Sequence, residues 1–120
     1  MKKMIIYLLI SLVLSCGQTQ LSHTDTAKIV IESFYKNDNF KLKKYATPES
    51  YASFMAIQAM IATGNDSPSN FKLIQETVDG DVAWVKFSTS YEEKPETFKL
   101  VKSEEQWKVT EKGLREKSPF

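Results

Sequence analysis

The chain has 120 residues, with 16 Lys and Arg against 15 Asp and Glu, and 12% of it is aromatic. So even a balance offers no electrostatic footprint for nucleic acid, and the aromatic content excludes a disordered chain. One cysteine excludes an intrachain disulfide framework, and a length of this size accommodates one domain with its own core.

In chain order the first features are Lys2 and Lys3, the apolar run Met4 to Leu14, then Ser15 and Cys16. A run this short matches the apolar core of a signal peptide and is too short to span a bilayer. The stretch LVLSCG resembles the bacterial lipobox, with leucine ahead of the cysteine, Ser15 just before it and Gly17 after it. That resemblance implies that residues 1–15 are removed as a lipoprotein signal peptide, that the Cys16 thiol carries a diacylglycerol, and that the new amino terminus is acylated. Each buried methylene contributes about 0.8 kcal/mol, so two or three acyl chains hold a protein stably at a bilayer where one does not. The alternatives are an ordinary cleaved signal with a chance cysteine and an uncleaved apolar anchor. The missing second cysteine favours the lipid, because an exported domain rarely keeps a lone thiol. Gly17 is not the aspartate that retains enterobacterial lipoproteins in the inner membrane. The same resemblance therefore implies the outer membrane of a bacterial envelope. Without Lys2 and Lys3 the basic residues number 14 against 15 acidic. That near-neutral charge predicts no pull toward an acidic membrane surface. Residues 16–23 read as a lipidated tether, and 24–120 as a single domain.

The domain opens with a helix from Asp25 to Lys36, capped by Thr24 or Asp25, whose stripe is Ala27, Val30, Ile31, Phe34 and Tyr35. Asn37 to Asn39 break it. A short second helix has Phe40, Leu42 and Tyr45 as apolar members and Lys41, Lys43 and Lys44 in solvent. In ATPES, Thr47 caps a third helix and Pro48 takes its first position. That helix is expected to run to about Ala62, with Gly64 just past its end and a loop to Asn70. The period then changes to two, which predicts strands at Phe71–Val78, Val82–Tyr91, Glu96–Lys102 and Trp107–Thr110. Asp79-Gly80 is the first tight turn, and Pro95 belongs to the second connection. Two registers of the first hairpin stay open: Ile74 opposite Val85, or Leu73 opposite Phe87 through a bulge. Ala83, Val85 and Phe87 alternate cleanly and are expected to face the helices, with Phe98, Leu100, Trp107 and Val109 in the same core. Val82 and Trp84 then lie on the other face, either shielded by neighbouring side chains or forming the surface of a homodimer or protein partner. The tail beyond Lys112 is expected to fray.

Three helices followed by a four-stranded meander predict an α+β fold, the helices packed on a curved antiparallel sheet. The stretches AKIVIESFYKNDNFKLKKYATPES, VDGDVAWVKF and TFKLVKSEEQWKV resemble small bacterial lipoproteins of unknown function in the nuclear-transport-factor-2-like (cystatin-like) superfamily. The likeness runs from about Thr24 to Thr110. It implies a cone with a pocket at its wide end, on a frame shared by enzymes, ligand binders and scaffolds, so fold does not settle function.

Enzymes of that superfamily place an Asp or His in the pocket, often with a tyrosine. Here the one histidine, His23, falls in the tether. Glu76 is the acid that reads as well inside a strand, and on one register it points inward as a candidate base. Tyr35, Tyr51, Met55 and Gln58 are the other candidate pocket residues, suited to a small hydrophobic ligand. Glu92, Glu93, Glu104 and Glu105 read as loop acids. No His/Cys spacing fits a metal, no glycine-rich loop fits a phosphate, and no cofactor motif occurs. The expected function is a membrane-anchored, non-enzymatic binding or protein-interaction module. The alternative is a small-molecule carrier or enzyme using the pocket between helices and sheet.

Overall fold

The computed structural model describes residues 21–61, 63–64, 66–111 and 116–120. The expected signal peptide and Cys16 lie outside them. Helix α1 spans His23–Lys36. Its cap is Ser22, not Thr24 or Asp25: the backbone there is extended and the Ser22 hydroxyl accepts from the Asp25 N–H at 3.0 Å. Asn37, in the left-handed region with φ 60°, ends it. Ala27, Val30, Ile31 and Phe34 are buried as one stripe. Helix α2 spans Asn39–Tyr45 under an Asp38 cap, and Leu42 anchors it in the core. Phe40, expected on the apolar side, is 81% exposed. Two residues before Leu42 is more than half a turn around the helix, so both cannot face inward.

Helix α3 spans Pro48–Gln58, with the Thr47 hydroxyl accepting from the Ser50 N–H. It stops short of the expected Ala62 for a tertiary reason. The end of α1 leaves carbonyls without helical donors. Gln58 Nε2 donates to the Phe34 carbonyl at 2.8 Å, and the Gly64 N–H donates to that of Tyr35 at 2.7 Å. These bonds turn the chain after Gln58 across the end of α1.

The strands are β1 (Lys72–Asp79), β2 (Val82–Thr89), β3 (Glu92–Ser103) and β4 (Gln106–Thr110), an antiparallel sheet in the order β1-β2-β3-β4. Gly80 and Asp81 make the first turn, shifted by one from the expected Asp79-Gly80, and Gly80 supplies the positive φ of 61°. Glu76 stands opposite Val85, a bulge follows between Leu73 and Gln75, and Leu73 stands opposite Phe87. Of the two open registers, the Leu73–Phe87 pairing is the one found, and Ile74 does not pair with Val85. Strand β3 begins at Glu92 and takes in Pro95, a residue expected in the connection. The strand tolerates Pro95 because β4 pairs with β3 only over Lys99 to Ser103, leaving an open edge before it.

Ala83, Val85 and Phe87 are fully buried, facing the helices with Leu100, Trp107 and Val109. Three helices thus pack against a four-stranded antiparallel sheet, as the periodicity predicts. The outer edge of β4 is closed by a parallel bridge from Ala46 to Val109. Strand β1 is exposed along its whole length.

Candidate functional site

Strand alternation brings an unexpected acid inward. Glu96 precedes Phe98 by two residues and stands opposite the buried Phe87, so its side chain lies on the helix side of the sheet. Its Oε2 atom is buried and without a hydrogen-bond partner. Burial, with the charge of Glu92 second, pushes its carboxyl up to about 7. Beside it the Tyr35 hydroxyl donates to Glu92 Oε1 at 3.0 Å, and the Tyr35 ring stacks on Tyr91 at 4.2 Å between centroids. Burial, then the bond to Glu92 and the nearby acids, raise the Tyr35 phenol far above its ordinary value. The outcome is a protonated phenol and a carboxyl poised near neutrality, the pairing that proton transfer needs.

A groove of about 390 Å³ runs between α3 and the sheet, where β3 overhangs the end of β4. Phe54, Ile57, Phe98 and Val109 line it on the apolar side, together with polar Ser53 and Thr110 and the charged residues Lys99 and Glu111. That volume and that mix suit a small amphipathic molecule. Phe54 and Phe98 touch edge-on at 6.0 Å and form one wall. Phe54 also reaches Phe34 at 5.5 Å, and Phe34 reaches Tyr35 at 4.9 Å. One aromatic chain therefore links the groove to the acid–phenol cluster.

The structure does not gather the sequence candidates in one place. Tyr35 belongs to the cluster. Tyr51 and Met55 are half-buried and pack on the core. Gln58 is spent on the Phe34 carbonyl. Glu76 faces the helix side but binds His23 Nε2 and, at 2.7 Å, the Thr24 hydroxyl. The Thr24 bond first, and His23 with it, hold the Glu76 carboxyl below the ordinary value despite some lost hydration. The shift is opposite in direction to the raised value expected of a pocket base. His23 is no free tether residue either: it opens α1 and meets Trp107 edge-on at 5.6 Å. Val82 and Trp84 lie on the outer face, where Lys99 Nζ stands 5.9 Å over the Trp84 ring. Glu116 pairs with that ammonium at 2.6 Å, so the tail expected to fray returns to the sheet at this point. Sequence reasoning missed Glu96 because Pro95 put it at a strand start. The signal is in the alternation: Phe98 and Leu100 are inward positions, and period two places Glu96 with them. No group of three His, Cys, Asp or Glu side chains able to hold a metal stands together among the described residues.

No protein-family model matches the chain, and no curated protein does. Among solved structures, it is similar to the crystal structure of a "Putative NTF2-like transpeptidase" from Campylobacter jejuni, with 15% identity and a TM-score of 0.52. The match covers 73% of this chain and 96% of that one. The expectation of a module that binds without catalysis is corrected at this point, because the relative sharing the architecture carries an enzyme's name. The alternative, a pocket that carries or converts a small molecule, fits that relative better. At this level of identity the likeness speaks for architecture: the chain has the nuclear-transport-factor-2-like (cystatin-like) α+β fold.

Proposed function

We propose that this protein is an envelope lipoprotein, anchored through Cys16 and sorted to the outer membrane, whose groove between α3 and the sheet takes a small amphipathic molecule as its enzyme or carrier. The observation that carries the reading is the groove itself, about 390 Å³ with Phe54 and Phe98 as its apolar wall. The enzyme half rests on Glu96, a carboxyl near neutrality beside Tyr35, whose ring connects to the groove wall through Phe34 and Phe54. The relative's transpeptidase name is not carried over. Acyl transfer needs an activated nucleophile. Ser50 takes the Thr47 hydroxyl hydrogen bond at 3.1 Å, and Lys99 Nζ lies on the outer face of the sheet, paired with Glu116. Neither is an activated pair, so acid–base chemistry through Glu96 is the reaction class favoured.

The test is to purify the protein from its native host and identify retained molecules by native mass spectrometry. A stoichiometric amphipathic compound, lost on filling the groove with Ser53→Trp or Ile57→Trp, supports the reading. Wild type that retains nothing, or a compound held equally by both filled variants, overturns it. The anchor is checked separately: labelled palmitate should enter the wild type and not Cys16→Ala.

A further inference from the structure

Among the described residues, the two most exposed large apolar side chains lie on neighbouring segments of the domain. Phe40 is 81% exposed on α2 and Met60 is 82% exposed just past α3, with Ile57 and Ile61 beside it at 45% and 42%. The segments carrying them are tied together. The Thr63 hydroxyl donates to Asn37 Oδ1 at 2.6 Å, and the Gly64 N–H donates to the Tyr35 carbonyl. From Ser50 to Asn65 the chain carries no charge at all. Directly alongside stand four exposed lysines, Lys36, Lys41, Lys43 and Lys44. Lys36 and Lys41 share a hollow with Glu32 and Asp38, Lys41 standing 3.8 Å from Asp38, so the surplus positive charge of the corner is that of Lys43 and Lys44. A near-neutral whole chain conceals this, because its acids lie mainly on the turns and strands.

We propose that this corner is a docking face for an anionic lipid bilayer: Phe40 and Met60 enter the headgroup layer and the four ammonium groups meet the phosphates. Apolar side chains ringed by lysines are the signature of surface contact in the plane of the interface. No described helix is long and apolar enough to cross a membrane, so contact would be lateral. The chain also enters at the right place. Leu21 lines a hollow with Lys44, Tyr45, Glu104 and Glu105, beside the C-terminal turn of α2. An anchor at Cys16 lies five residues upstream. Its reach is at most about 18 Å, which brings α2 to the bilayer. The proposal goes beyond the groove reading and stands without it.

The test uses residues 21–120, which contain every core residue from Ala27 to Val109. Co-sedimentation is measured with vesicles of phosphatidylglycerol and phosphatidylethanolamine, and with neutral phosphatidylcholine. Binding should favour the anionic vesicles, weaken with salt, and fall about fivefold for each of Lys41→Gln, Lys43→Gln and Lys44→Gln. Phe40→Ser with Met60→Ser should lose at least tenfold while the melting temperature holds, since both side chains are in solvent. Equal binding to neutral vesicles, or wild-type binding by the Phe40/Met60 variant, overturns the proposal. So does a dimer in sedimentation velocity that this variant dissociates, which would give the corner to a second copy.

Discussion

Glu96 makes stability depend on pH in an unusual direction. In the unfolded chain its carboxyl ionises near 4.5, whereas in the folded state it keeps its proton up to about 7. Between these values the folded state binds more protons than the unfolded one. Stability should therefore fall as pH rises through this window and level off above it. Converted in full, the shift would correspond to about 3 kcal/mol. The carboxyl retains some contact with water, so screening leaves about 1–2 kcal/mol. Glu96→Gln keeps the shape and removes the ionisation. It should gain that amount over wild type at pH 8 and nothing at pH 4. For a domain of this size that is about 4–8 °C in melting temperature per kcal/mol. Urea unfolding of both proteins at pH 4, 5, 6, 7 and 8 reads it directly. Parallel stability curves across the series would refute the reasoning and remove Glu96 as an acid–base group.

Glu76 should act in the opposite sense: its depressed carboxyl supports the fold above its ordinary value of 4.5, and Glu76→Gln should lose most of its penalty as the pH drops below that. Gln58→Ala should cost about 1 kcal/mol in urea unfolding, the value of its bond to the Phe34 carbonyl, and leave any groove ligand in place. Glu104 and Glu105 turn between β3 and β4 with φ of 52° and 63°, a region that favours glycine and asparagine. Glu105→Gly should raise stability by about 1 kcal/mol, visible as a higher melting temperature, and a loss instead would mean that the glutamate's own contacts outweigh the strain.

The chain's periodicities determined the element order, the meander and the inward faces. Ala27, Val30, Ile31 and Phe34 recur at helical spacing, and Ala83, Val85 and Phe87 alternate, because each pattern has one low-energy way to hide its apolar side. Local chemistry also placed Thr47 as a cap, since capping involves neighbours within three residues. What the sequence could not determine depended on distant partners. Helix α3 stops at Gln58 because the end of α1 offers carbonyls to Gln58 and Gly64. Pro95 enters β3 because β4 ends before reaching it. Glu76 is tied to His23 and Thr24, more than fifty residues away. Only packing decided that Glu96 would lose its water and that Phe40 and Met60 would keep theirs, because desolvation belongs to the assembled fold and not to any residue in it.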